Sequence, residues 1–272
     1  MSVSARAAVS GLVGGAVFGV LALGCKTTGA AGGADPERQS RAEHDVAADA
    51  LAKGNLRAAL AHAKKAAEFD EDNADAHLLV ATVYIAFCTY SPDECRLGEA
   101  EKSARLAVKK KQGFREAQNT LGVILVHEKK YDDAIGVLRP LTEDMLYATP
   151  ENAWGNLGWA LLEKGDVDKA VDALRRSVAA QPDFCWGNTK LGLAYEKKGE
   201  LRAAQQALSK AIETNRPECS AFPDALEQRA RVLSKLGETD SARADLERCS
   251  KVGAGSPSGL RCAASLGKAP AP

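Results

Sequence analysis

Cysteines, histidines and clustered carboxylates are the side chains that could do chemistry in this chain, and their spacing argues against most of it. The seven cysteines, Cys25, Cys88, Cys95, Cys185, Cys219, Cys249 and Cys262, include no Cys-x-x-Cys pair, the knuckle from which structural zinc sites are built. His44, His62, His77 and His127 share no metal spacing, and His127-Glu128-Lys129-Lys130 lacks the second histidine of a zinc-protease helix. Asp166, Asp168 and Asp172 fall on the polar side of a helical pattern, where a solvated face is the ordinary role. The glycines from Gly11 to Gly19 lie in an apolar leader and so form no phosphate loop. The expectation is a protein with no catalytic residues, no metal, no cofactor and no small-molecule substrate. Its 36 basic and 36 acidic side chains cancel, which gives no support to nucleic acid as a partner.

The cysteines acquire a role once the start of the chain is read. Residues 1–24 carry one early charge, Arg6, and then an uncharged run from Ala7 to Gly24, right for the core of a signal peptide and rich in Gly and Ala for a membrane span. The run ends in Leu21-Ala22-Leu23-Gly24-Cys25, which resembles the bacterial lipobox, whose cysteine is acylated (palmitate among the chains) and becomes the mature N-terminus. Ala22 departs from that pattern, standing where a leucine is usual. An uncleaved anchor helix, or an ordinary cut near Ala30, are the other readings. Lys26 in place of an aspartate is what lipoproteins sent to the outer membrane usually show. Several acyl chains would hold the protein there, each buried methylene contributing about 0.8 kcal/mol. Residues 25–39, Gly/Ala-rich and without periodicity, read as a flexible tether.

The elements that must position everything else are repeats. Trp154, Leu157, Gly158, Leu161, Gly165, Ala170, Leu174, Ser177 and Pro182 return 34 residues later as Asn188, Leu191, Gly192, Tyr195, Gly199, Ala204, Leu208, Ala211 and Arg216. That period, with small residues at fixed places between large ones, is the tetratricopeptide (TPR) signature. In each copy the apolar positions fall at helical spacing on two segments broken at Gly165-Asp166 or Gly199-Glu200, so each is a helical hairpin. A single hairpin cannot bury its own apolar face, and copies must stack. Carrying the register both ways predicts an all-α, right-handed TPR superhelix of six hairpins, 40–73, 74–114, 115–150, 151–184, 185–222 and 223–256. Insertions fall between helices, and the Gly/Ser/Pro-rich tail 257–272 reads as partly disordered.

With Cys25 set aside for lipid, six cysteines remain in an exported chain, which favours disulfides. Cys88 and Cys95 bracket the insertion of the second hairpin. Cys185 and Cys219 are one repeat length apart at equivalent boundaries. Cys249 closes the last helix and Cys262 lies in the tail that can return to it. The predicted pairs are 88 with 95, 185 with 219 and 249 with 262.

In stacked TPR hairpins the first helix of each pair lines the concave side, with repeat positions 2, 5, 9 and 12 pointing inward. Here those positions supply Leu78 and Ile85, Val123 and Val126, Trp159 and Leu162, Trp186 and Leu193; the sixth hairpin supplies Asp224, Glu227, Arg231 and Ser234. The expected groove is apolar in its middle and charged at its far end. If accessible, it suits a protein segment, with Trp159 as anchor. If the coil is tight, the same side chains are buried against the next repeat.

Asn119-Thr-Leu-Gly122, Glu128-Lys-Lys-Tyr131, Ala134, Leu146-Tyr147 and Asn156-Leu-Gly158 resemble the corresponding run in the type IV pilus pilotins of the PilF/PilW/Tgl family, over about Cys25 to Cys249. The cysteine set is closer to the Tgl branch. The resemblance implies a lipoprotein on the periplasmic face of the outer membrane whose TPR groove binds secretin subunits. It would promote their insertion and multimerisation for type IV pilus assembly and for twitching or social motility. The alternative is a TPR lipoprotein scaffold for cell-wall enzymes or for outer-membrane protein assembly.

Overall fold

The computed structural model describes residues 35–214, 216, 219 and 222–267; Cys25 and the leader lie outside the described residues. Helical hairpins follow one another. They are α1 (Pro36–Ala52) with α2 (Leu56–Phe69), α3 (Ala74–Tyr90) with α4 (Leu97–Lys110), and α5 (Arg115–His127) with α6 (Tyr131–Glu143). Next come α7 (Pro150–Lys164) with α8 (Val167–Ala180), α9 (Cys185–Lys198) with α10 (Leu201–Ile212), and α11 (Pro223–Lys235) with α12 (Thr239–Val252). A last helix, α13 (Pro257–Ser265), packs on α11 and α12. Among the described residues there is no strand, and none of the helices is long and apolar enough to cross a membrane. The fold is an all-α TPR solenoid.

Local signals set the helix ends. Proline opens α1, α7, α11 and α13, where its missing N–H would have had no partner anyway. Asp35, Asn55, Asn73 and Ser256 accept backbone N–H groups at the starts of α1, α2, α3 and α13. Gly165 and Gly199 end α7 and α9 with φ of 99° and 83°, a left-handed geometry that glycine adopts freely. In the third hairpin the same register position is Lys129, at φ 61°, the one non-glycine with positive φ among the described residues.

Each hairpin closes by fitting a large side chain over a small one. A Cβ added to Gly122, Gly158 or Gly192 would stand 2.4, 2.5 or 2.4 Å from Cγ of Leu138, Leu174 or Leu208, too close for any real contact. The equivalent pairs in the first two hairpins are Ala47 with Ala63 and Ala81 with Ala104, all fully buried. A leucine on the second helix thus goes with a glycine opposite it in the third, fourth and fifth hairpins, whereas the first two use two alanines. Gly158→Ala alone is expected to cost about 1–3 kcal/mol through overpacking, and Leu174→Ala about 2–5 kcal/mol through the cavity it leaves. The double variant recreates the alanine pair already used elsewhere and should lose at least about 1 kcal/mol less than the sum. Urea unfolding of the four chains measures this; strictly additive costs would mean that the two positions do not share one space.

Two boundaries differ from the sequence reading. The stretch read as tether to Gln39 is helical from Pro36, because Asp35 caps α1 and Ser40, fully buried, donates its hydroxyl to the Ala66 carbonyl of α2 at 2.7 Å. The stretch read as a partly disordered tail holds α13. Pro257 stands one 34-residue period after Pro223, so α13 is the first helix of a seventh, incomplete hairpin. It covers the end of α11 and α12, which repeat arrays must shield from water. Arg261 pairs with Glu227 at 2.6 Å, and Cys262 is bonded to Cys249.

The six described cysteines form Cys88–Cys95, Cys185–Cys219 and Cys249–Cys262, with Cα atoms 4.3, 5.5 and 6.0 Å apart. These are the pairs drawn from the repeat register. Cys88–Cys95 closes a single 3-10 turn, Pro92–Glu94, that absorbs the insertion after α3.

Charge also couples the second and third hairpins. Lys130 Nζ lies 2.7 Å from Glu101 and 2.9 Å from Glu128, and Arg105 lies 2.6 Å from Glu101. The hydrogen bond from Lys130 lowers the Glu101 pKa most, with Arg105 adding to it, and brings it from 4.5 to about 2. A carboxylate whose folded pKa is depressed contributes stability that is full above its unfolded pKa and lost as pH falls through the folded value. The stability of the chain is therefore expected to decline between about pH 4.5 and about pH 2, and Glu101→Gln should flatten that part of the curve. Chemical denaturation at stepped pH reads it; an unchanged slope in the variant would show that the Lys130 contact is not formed in solution.

Candidate functional site

Helix contacts show which side of the solenoid is the inner one. Each odd-numbered helix from α1 to α11 touches the next odd-numbered helix, while no two even-numbered helices make comparable contact. The odd helices therefore crowd together on one side, and their outward stripe there forms the concave wall.

On this wall α5, α7 and α9 bring together a cluster of aromatic and charged side chains. Trp159 of α7 meets His127 of α5 edge-on, with ring centroids 5.0 Å apart, and Trp186 of α9 edge-on at 5.8 Å. Phe184, just before α9, lies 6.0 Å from Trp186. The Trp159 ring N–H donates to Glu163 Oε1 at 3.3 Å. Lys190 of α9 reaches over both indoles, its Nζ 4.6 Å from the Trp159 centroid and 5.4 Å from that of Trp186. Edge-on pairing sets the positive rim of one ring against the negative face of the other, and a cation over the faces is held by the same quadrupole.

Backbone and second helices fix this arrangement. Gly155 of α7 leaves room for the Trp186 ring, since a Cβ there would lie 3.0 Å from Trp186 Cζ3 and 3.1 Å from the Ser177 hydroxyl. Asn156 donates to Asn119 Oδ1 at 2.9 Å, tying α7 to α5 beside the cluster. That bond gives the two asparagines of the Asn119…Gly122 and Asn156…Gly158 run a physical task. It needs a partner because Asn156 is 7% exposed.

The protein around the cluster disfavours charge there. Burial lowers the Lys190 pKa, with Lys197 adding slightly and Glu163 and Asp224 opposing. His127 keeps open surface, as a residue on the wall of a concavity does, yet its pKa is lowered too, first by desolvation and then by the charge of Lys190. The imidazole is therefore neutral at neutral pH.

The predicted groove residues divide. Trp159, Trp186, Leu193 and Val123 are partly exposed on this wall. Leu78 and Ile85 are exposed to the same intermediate degree, Leu78 packing on the Phe114 and Ala117 cluster and Ile85, like Trp159 and Leu193, on the main core. Leu162, with no exposure, and Val126, at 3%, are corrections: both belong to the core that joins neighbouring hairpins and offer nothing to a partner. Their shared repeat position turns toward the adjoining helix rather than into the groove. The charged far end is spent internally. Arg231 and Lys235 hold Glu196 at 2.7 and 2.8 Å, Arg261 holds Glu227, and Asp224 accepts from the Ser258 hydroxyl.

Sequence reasoning missed Lys190, His127 and Glu163 as members of the site. A lysine at position 6 of a hairpin carries no signal by itself; only the tryptophan one repeat earlier makes it notable. Two outer clefts of about 360 and 270 Å³, one lined by Lys64, Tyr84 and Leu106, the other by Arg175, Tyr195 and Gln206, lie between second helices and away from this cluster. Among the described residues no group of His, Cys, Asp and Glu is placed to hold a metal.

Comparison with known proteins agrees with the repeat architecture. The tetratricopeptide-repeat family model matches residues 141–183 and 189–249. The type IV pilus assembly protein PilF of Pseudomonas aeruginosa is 27% identical over 128 residues, 47% of this chain and 48% of that protein. The chain thus matches about half the length of that relative. A solved structure of Pseudomonas aeruginosa PilF superposes with a TM-score of 0.61 at 20% identity, over 85% of this chain and 99% of that one. PilW, described as a widely conserved type IV pilus biogenesis factor, gives 0.65 at 22% identity over 82% and 97%. The fold is also found in the Cut9–Hcn1 tetramer of the APC/C, with a TM-score of 0.68 at 15% identity over 82% of this chain and 42% of that one. Shape by itself therefore does not separate these functions.

Proposed function

We propose, from the premise that this chain is a PilF/PilW-like TPR protein, that it is a pilotin. It is anchored through Cys25 to the periplasmic face of the outer membrane, binds secretin subunits along the wall formed by α5, α7 and α9, and promotes their insertion and multimerisation. Type IV pilus assembly and pilus-dependent motility then depend on it. The observation that carries this reading is the partly exposed strip Val123, Trp159, Trp186 and Leu193 on the inner wall of a TPR solenoid of PilF-like fold. Large aromatic side chains in a concave, partly desolvated setting are the usual anchors of a protein interface. The TPR architecture supports a protein-binding role.

The test is the content of heat-stable secretin multimers in the outer membrane of a deletion strain, restored by the wild-type gene and by a Cys25→Ala gene in parallel. Multimers are expected to vanish on deletion and to return only with Cys25 present. Full multimers in the deletion strain would sink the proposal. Co-purification of a cell-wall hydrolase or of barrel-assembly components in place of secretin would favour the scaffold reading.

A further inference from the structure

Lys190 differs from the cations on the charged stretch of the wall. Those cations, Arg231, Lys235 and Arg261, are all paired with carboxylates. Lys190 makes no ion pair and no hydrogen bond among the described residues; its contacts are the two indole faces. A ring face balances charge but accepts no hydrogen bond as strong as a carboxylate does, and an ammonium has three N–H donors to satisfy. The residue as a whole keeps part of its surface open. Glu163 and Asp224 are near enough to favour its charge, yet neither comes within ion-pair distance of it.

We propose that Lys190 is the recognition point for an acidic side chain of the bound partner: an internal Asp or Glu, flanked by an apolar residue, whose carboxylate takes the Lys190 ammonium while the neighbour packs on Trp159 and Trp186. The commitment to an internal residue follows from the half-buried apolar side chains at groove positions on both sides of Lys190, Val123 of α5 and Trp159 of α7 on one and Leu193, one turn further along α9, on the other. A segment can thus run past the lysine instead of ending at it. Burial weakens the proton affinity of Lys190, as expected for a cation partly desolvated in advance of its partner. A charge-assisted bond in such a setting is stronger than the same bond in water. The inference rests on the pilotin reading only for which protein supplies the segment.

The experiment uses the full chain in detergent, as wild type, Lys190→Gln and Lys190→Arg, against overlapping peptides that cover the secretin subunit and against an array of random sequence. Every array is made with free and with amidated C-termini, and every Asp or Glu of a binding peptide is then replaced by Asn or Gln. Expected are amidated peptides with an acidic residue beside an apolar one, an affinity loss of about 10- to 100-fold with Lys190→Gln, and retention with Lys190→Arg. Neutralising the peptide acid should cost the same factor and add nothing further in the Lys190→Gln background. Binding of such peptides from the random array alone, with none from secretin, upholds the Lys190 site and removes the pilotin reading. Secretin peptides that bind wild type and Lys190→Gln equally overturn the site and leave the pilotin reading standing. Binding that requires a free C-terminus, self-association of the chain through this wall, or no peptide binding at all likewise overturns it.

Discussion

Replacing Trp159 by Asp is expected to abolish heat-stable secretin multimers as fully as deleting the gene, while the chain remains folded and abundant. Trp159 stands at the centre of the inner wall, touching His127, Trp186 and Lys190 at once. Its edge-on pairs are worth about 0.5–1.5 kcal/mol each beyond the burial of the ring, which is only partial, so the loss falls below that of a fully buried tryptophan. For a partner the change is far larger, since the aromatic anchor is gone and the new carboxylate lies next to Lys190 and occupies it. Leu162→Asp serves as the contrasting variant. That side chain has no exposure, and an unpaired charge there should cost more than about 4 kcal/mol and deplete the protein itself. Immunoblots for both proteins, with helicity melts of the purified chains, separate the two outcomes. Normal multimers with Trp159→Asp would mean that partners bind elsewhere.

Arg229→Ala is expected to destabilise the C-terminal end by about 3–5 kcal/mol, the cost of leaving a buried carboxylate unpaired. Arg229 of α11 holds Asp245 of α12 through two bonds, at 2.7 and 2.8 Å, and reaches Ser209 and Glu213 at the end of α10 at 2.9 and 2.7 Å. The side chains of Arg229 and Asp245 are 15% and 7% exposed, so water cannot replace either partner. One guanidinium thereby fixes the sixth hairpin internally and against the fifth. The paired variant Arg229→Met with Asp245→Leu removes both charges together and should recover most of the loss, because apolar side chains of similar size need no partner there. In a repeat array the damage should stay local. Hydrogen exchange is therefore expected to rise in α11, α12 and α13 while α5 to α8 keep their protection. Equal loss in the single and paired variants would show that packing, and not the ion pair, carries the effect.

Much of this architecture is local information. The 34-residue period, the glycine opposite each leucine at Gly158 and Leu174 or Gly192 and Leu208, and the turn glycines Gly165 and Gly199 are all decided within one hairpin, and a sequence displays them directly. The cysteine pairs were legible for the same reason. Register places Cys185 and Cys219 at neighbouring boundaries and Cys249 and Cys262 one helix apart. Even α13, read as tail, had its signal in Pro257, one period after Pro223, hidden by the Gly, Ser and Pro residues around it.

The sequence by itself determined that this chain is a stack of helical hairpins, which helices line its inner wall, and that Trp159 and Trp186 stand on that wall. Tertiary structure alone decided how deep each inward residue sits. Leu162 and Val126 share a helix stripe with accessible residues, yet the overlap of adjoining hairpins seals them. It also decided that Lys190 meets two indoles and no carboxylate. The physical reason is that a repeat period fixes the direction in which a side chain points, whereas its burial and its partners depend on the next hairpin, about 34 residues away in sequence and in contact only once the stack has formed.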